Sequence, residues 1–229
     1  IVVHQLGLPA DIRGFAQLAQ ERGLRLVEDA ACAIGSTYGG RPIGSHGDLV
    51  CFSFHPRKLL TTGDGGMVLT GSAEHAARMR RLRQHGMSIS DLDRHGADDI
   101  VRERYLEVGF NYRMTDLQAA MGIEQLRRLP GILAVRRALA AAYDIALEHD
   151  DVVQTPVVPP GVEWNVQTYC VRLTGFDAAR RDEVMRRLLR AGIASRAGVM
   201  TAHREPAFAG GPGVEPLPLS EAASDTYDI

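Results

Sequence analysis

Several things are scarce or missing in this chain, and each absence removes a class of function. Three cysteines, Cys32, Cys51 and Cys170, are an odd number at wide spacing, with no CxxC pair and no secretory pattern ahead of them, so a reduced, cytoplasmic setting is expected. No apolar run approaches the roughly 20 residues that span a bilayer. The formal net charge is only -2, with arginines and acids interleaved, which gives no electrostatic reason to expect nucleic acid or an anionic membrane as partner. His75, His85 and His95 recur evenly, but not at a spacing that sets metal ligands on one helix face, and they read as surface histidines. The order G-x-x-x-x-G-K is missing, which argues against a nucleotide triphosphatase. Internal repeats and low-complexity segments are missing too. Lysine is as scarce as a residue can be while present: of 26 Lys plus Arg, Lys58 is the only lysine.

That scarcity has a chemical reading. Arginine supplies surface charge as well as lysine does, but its guanidinium stays protonated and cannot form a Schiff base, whereas a lysine amine loses its proton readily once desolvated. Biased codon usage would also thin out lysine. Position favours chemistry, because Lys58 stands between the apolar, strand-like run Leu49 to Phe54 and the turn Gly63, Asp64, Gly65, Gly66.

The 229 residues, 45% hydrophobic and 24% charged, are enough for one large domain or two small ones. A short β-branched run at Ile1 to His4, a helical pattern from Ile12 to Arg22 closed by Gly23, and a strand at Leu24 to Val27 make a βαβ unit, hence a parallel sheet. Opening at Ile1 on a core-strand pattern implies a segment upstream. Glu28 and Asp29 close the second strand at its carboxyl end, where open α/β sheets place ligands; either is a turn acid or the partner of a buried cation. Ser53 either bonds backbone or holds an anion. Met67 to Leu69 reads as a further strand and Ser72 to His85 as an Arg-studded helix. The charged stretch Met87 to Glu107 reads as a surface excursion. Thr115 or Asp116 caps a helix to about Leu129, Pro130 and Gly131 break it, and a second helix runs from Ile132 to His149. A strand at Gln167 to Leu173, a helix at Ala178 to Ala191 and a short strand at Ile193 to Arg196 follow. The expected organisation is therefore residues 1–129 as part of a large α/β domain and 130–229 as a smaller α+β domain.

Five segments in order, VHQLGLPADI from Val3, VEDAACAIGSTYGGRPIGSHGD from Val27, CFSFHPRKLLTTGDGGMVLT from Cys51, GFNYRMTDLQAAMGIEQLRRL from Gly109 and HREPAF from His203, closely resemble the DegT/DnrJ/EryC1/StrS sugar aminotransferases. The resemblance implies a pyridoxal 5'-phosphate-dependent transferase of fold type I: a mostly parallel sheet with flanking helices, plus the smaller C-terminal domain. It implies that Lys58 is the Schiff-base lysine and that Asp29 salt-bridges the pyridine nitrogen, keeping the ring an electron sink. Ala31 would pack against one ring face and Ser53 would bind the phosphate. Asn111 would reach the cofactor phosphate of a partner subunit, so a homodimer with shared active sites is expected. Cys32 stands where the family carries Gln or His against the ring hydroxyl, and a thiol is a weaker hydrogen-bond partner.

The activity so implied moves an amino group from glutamate or glutamine to a nucleotide-linked keto sugar, in two halves that share Lys58 as general base and acid. Keto-sugar dehydration on the same fold is a second reading, and there histidine replaces the Schiff-base lysine. A catalytically silent, cofactor-binding fragment is a third. His203 and Arg204 either face substrate or form an ordinary turn before Pro206.

Overall fold

In the computed structural model the described residues are 1–89, 100, 102–208, 211 and 215–228. His95, and the part of the charged excursion at 90–99 and 101, lie outside them. In chain order the elements are β1 (Val2–Val3), α1 (Ile12–Glu21), β2 (Val27–Asp29), β3 (Thr37–Tyr38), β4 (Arg41–Pro42), β5 (Leu49–Ser53), β6 (Gly66–Leu69), α2 (Ala73–Leu82), α3 (Asp116–Leu147), β7 (Val153–Gln154), β8 (Val162–Glu163), β9 (Val171–Leu173), α4 (Ala178–Arg190), α5 (Pro218–Thr226) and β10 (Tyr227–Asp228). Two compact units form, one from Ile1–Leu133 with Gly161–Asn165, the other from Ala134–Pro160 with Val166–Ile229.

The first unit is built on a four-stranded sheet in the order β1-β2-β5-β6, with β1, β2 and β5 parallel and β6 antiparallel to β5. Register decides what each face does. Val2, Glu28 and Val50 align across one face, and Val3, Asp29 and Cys51 across the other. Val2 and Val50 are buried, and Val50 packs in a core with Ile12, Ala30, Ala33 and Ile43. Each valine or isoleucine among these contributes about 1.5–3 kcal/mol by leaving water. Helix α1 supplies Ile12 to this core; Asp11 caps it by accepting the Gly14 N–H. The opposite face is open: Val3 is 46% and Val68 43% exposed.

The second strand lies later in the chain than its apolar run predicts, at Val27–Asp29 rather than Leu24 to Val27. Leu24 is exposed, and the ladder forms where β1 and β5 offer partners, even though that draws the charged Glu28 fully inside. His4, also fully buried, makes this tolerable. Its Nδ1 accepts the Ala10 N–H (3.1 Å), which leaves Nε2 to carry the ring proton and donate to Glu28 Oε2 (3.1 Å).

Expectations of local structure fail at Pro130, at Ile193 to Arg196 and at Gln167 to Leu173, each for a local reason. Pro130 does not break the helix: α3 runs through it for 32 residues. An internal proline costs about 3 kcal/mol, and the Leu- and Ala-rich turns on both sides outweigh that. The division between units falls within α3, at Leu133 and Ala134, and Gly161–Asn165 returns to the first unit. Ile193 to Arg196 forms no strand, because the Ile193 N–H donates to Leu188 O (2.9 Å) and closes the end of α4 instead. The strand sought at Gln167 to Leu173 shrinks to Val171–Leu173. Val166 has φ +52°, outside any ladder, and Arg136 takes the Val166 and Gln167 carbonyls (both 2.8 Å). In the second unit β10, β9 and β7 form an antiparallel sheet, and Asp177 caps α4 by accepting the Arg180 N–H.

Candidate active site

Beyond β5 the chain makes a loop whose ends are tied together. Phe54 N–H donates to Gly65 O (2.9 Å), and Thr62 N–H donates to Phe54 O (3.1 Å). Leu59 and Leu60 are buried, and the Lys58 N–H donates to His55 O (2.9 Å). The backbone at Lys58 is therefore anchored on both sides, while its side chain, half-buried, leaves the loop and donates from Nζ to Cys32 Sγ at 3.1 Å.

Cys32 follows Asp29 by three residues, on the loop that leaves β2. Asp29 Oδ1 accepts the Ala31 N–H (3.0 Å), which fixes both the carboxylate and the start of that loop. Across the open face Asp29 lies in register with Cys51, and Ser53 follows on the same side. Burial, and after it the negative charge of Asp29, push the Cys51 thiol above its ordinary value. Ser53 Oγ accepts the His55 N–H (3.3 Å), so its own proton is left to donate. Lys58, Cys32, Ala31, Asp29 and Ser53 thus share one edge of the sheet, at the carboxyl ends of β2 and β5. That is where parallel strands offer a ligand crevice. A carboxylate, a neighbouring amine and a hydroxyl at a strand end are a donor set whose chemistry fits a phosphorylated pyridine aldehyde, and Val3 and Val68 on this face are exposed.

Asn111 is exposed and bridges by backbone to Gln84. Its segment is strapped to the end of α2. Phe110 N–H donates to Leu82 O (2.7 Å) and Tyr112 N–H to Arg83 O (2.9 Å). Two glycines permit the crossing, since a Cβ at Gly86 would stand 2.0 Å from Glu107 O and one at Gly109 2.1 Å from Gly86 N. Glu107 clasps Arg81 (2.6 Å) and Arg78 (3.1 Å), and those hydrogen bonds, chiefly from Arg81, hold its carboxyl below the usual 4.5. A depressed carboxylate stabilises the fold above its unfolded value, and the contribution disappears as pH falls through the folded one. Glu107→Gln therefore lowers the denaturant midpoint at neutral pH. The difference from the native chain closes progressively as the pH is taken below the ordinary carboxylate range.

Two residues at this edge escape a reading of the sequence. Cys51 faces Asp29, which the alternation in CFSF allows but only the β2–β5 register fixes. Asn165 grips the Cys32 loop from a distant part of the chain. In the second unit, His203 pairs with Glu221 (2.7 Å) and Arg204 with Asp225 (3.0 Å), so both are engaged by acids of α5.

The architecture is that of the pyridoxal-phosphate-dependent transferases of fold type I. Residues 1–227 match the DegT/DnrJ/EryC1/StrS aminotransferase family, and the chain belongs to it. It is 38% identical over 211 residues to the GDP-perosamine synthase of Caulobacter vibrioides, an alignment covering 90% of this chain and 53% of that protein. The chain thus spans about half the length of this curated relative. Among solved structures it is similar to the aminotransferase TlmJ of Streptoalloteichus hindustanus (34% identity, TM-score 0.87, 99% of this chain and 58% of that one). It is also similar to S. venezuelae DesV in complex with a ketimine intermediate (32%, TM-score 0.84, 99% and 58%). The putative sugar aminotransferase Spr1654 of Streptococcus pneumoniae, solved in a PLP form, shares the fold at 24% identity and TM-score 0.87, over 99% of this chain and 61% of that one.

Proposed function

We propose that this chain carries the cofactor-holding centre of an enzyme that moves an amino group from glutamate or glutamine to a nucleotide-linked keto sugar. The observation that supports this most is the 3.1 Å approach of the only lysine's Nζ to the loop that leaves Asp29. Family membership and the similarity to the aminotransferase TlmJ and to DesV, solved with a ketimine intermediate, support the reaction class.

Pyridoxal phosphate, when bound, supplies an electron sink that makes a substrate Cα–H acidic. In this reading Lys58 would hold it covalently, and the Lys58 amine, when free, would be the group that moves the substrate Cα proton. Asp29 holds a proton on the pyridine nitrogen; its carboxylate is already oriented by the Ala31 N–H. Ala31 would present a small side chain to one ring face, Ser53 would donate its hydroxyl to the phosphate, and Cys32 would face the ring hydroxyl.

Asn111 belongs in this reading to the neighbouring subunit of a homodimer. Its exposure favours that role, as do the flanking aromatic rings of Phe110 and Tyr112, stacked at 5.0 Å and themselves exposed.

The test is amino transfer by the full-length protein from glutamate, and separately glutamine, to a panel of nucleotide-linked keto sugars, followed by mass spectrometry. One or more amino sugars should form with stoichiometric loss of donor. Cofactor colour without any product would leave only a silent binder, and a dehydrated sugar without nitrogen would establish the dehydratase reading instead.

A further inference from the structure

The loop that carries Cys32 is held by a residue 133 positions away in sequence. Asn165 is completely buried, and its Nδ2 donates to two carbonyls of that loop, Cys32 O at 2.7 Å and Ile34 O at 2.8 Å. Only the amide nitrogen can face two carbonyl oxygens, so the side chain has one possible orientation. The Asn165 N–H donates to Ser36 Oγ (3.0 Å), and that hydroxyl, also fully buried, donates to Gly7 O (2.7 Å). Trp164 Nε1–H donates to Leu6 O (3.0 Å). A Cβ on Gly7 would stand 2.1 Å from Asn165 Oδ1 and 2.7 Å from Cys32 O, so even the glycine is fitted to this junction. The next residue, Val166, has φ +52°, a conformation that a β-branched side chain adopts only where its surroundings compel it.

This brace is more than a loop tie, because of what the loop presents. Ahead of Cys32 the chain is fixed by the Ala31 N–H on Asp29 Oδ1, and behind it by the grip on its own carbonyl. With both flanks set, Cys32 has little left but its χ1 rotation, and that places Sγ 3.1 Å from Lys58 Nζ.

We propose that Asn165 is a positioning residue of this active site: by holding the Cys32 and Ile34 carbonyls it keeps the Cys32 thiol against the Lys58 amine, which is thereby presented to an incoming aldehyde in one orientation. The proposal rests on the reading of Lys58 as the cofactor anchor. The step it affects is loading, in which Nζ bonds to the aldehyde carbon of pyridoxal phosphate, a C=N bond forms, and the aldehyde oxygen leaves as water with the amine's two protons. Thiol and asparagine are unchanged by it.

Asn165→Asp keeps the shape but turns an oxygen toward two carbonyl oxygens. In cofactor-free full-length protein it should slow the rise of visible absorbance on adding pyridoxal phosphate about five- to tenfold, the worth of one or two hydrogen bonds. It should also speed iodoacetamide labelling of Cys32 by a similar factor, with Cys51 and Cys170 labelled at native rates as internal controls. Cys32→Ala should slow loading on its own, and adding Asn165→Asp to it should change loading by less than about twofold, since the two act through one contact. Native loading and native Cys32 labelling in Asn165→Asp would overturn the proposal. So would an Asn165→Asp effect undiminished in the Cys32→Ala background. If Asn165→Asp does not fold, the milder Asn165→Ala takes its place; if neither folds, Cys32→Ala alone decides, and native loading in it refutes the proposal. Should the native protein itself fail to bind pyridoxal phosphate at Lys58, the underlying reading fails, and the labelling comparison still decides whether Asn165 sets the thiol.

Discussion

With Lys58 as the proposed anchor and proton carrier, Lys58→Ala should remove visible cofactor absorbance from the full-length protein and lower amino transfer by at least about a thousandfold, because both proposed roles are lost together. Lys58→Arg does the same. It retains the positive charge and much of the length, but a guanidinium neither condenses with an aldehyde nor gives up a proton near neutral pH. The pair therefore separates charge from chemistry: if Lys58 served only to attract phosphate, the arginine variant would keep most of its activity. Folding is not at risk, since the loop is held by backbone bonds at Phe54, Thr62 and Gly65 and by buried Leu59 and Leu60. The unfolding midpoint of both variants should stay near native, as read by circular dichroism, while absorbance and turnover vanish.

The second large effect belongs to Asp29. Asp29→Asn preserves size and an oxygen able to accept the Ala31 N–H, so β2 and the loop behind it stay in place. What disappears is the charge proposed to keep the pyridine nitrogen protonated. Turnover should fall about a hundredfold to a thousandfold, the usual cost of removing one preorganised electrostatic partner from a reacting centre, while covalent loading of Lys58 survives. The neighbouring acid supplies the contrast. Glu28 is on the opposite face of the same strand, buried against His4, and cannot reach the open edge. Full turnover in Asp29→Asn would mean that the acid on the open face has no part in the chemistry.

How far the sequence reveals this arrangement varies with the kind of signal. Lys58 stands out because no other amine side chain competes with it, and the βαβ opening is legible from β-branched and helical spacing. The faces of the strand are harder to read. The run Leu24 to Val27 looks more like a strand than Val27–Asp29 does, and only pairing with β1 and β5 explains why a buried strand contains two acids, one for each face. Proline's local cost misleads at Pro130, where neighbouring turns override it. The strand sought at Ile193 to Arg196 is missing because the helix before it claims the first N–H. The Lys58–Cys32 contact and its support from Asn165 leave no trace in spacing. They arise from a loop closure and from a pairing over most of the chain's length, which no periodicity encodes.

The measurement that bears most directly on the central claim is borohydride reduction of cofactor-loaded full-length protein, followed by digestion and peptide mass spectrometry. The account predicts a pyridoxyl-phosphate adduct on Lys58, in the peptide that also holds Ser53, at one adduct per chain. An adduct on any other amine, with Lys58 recovered unmodified from protein that transfers amino groups, would contradict it.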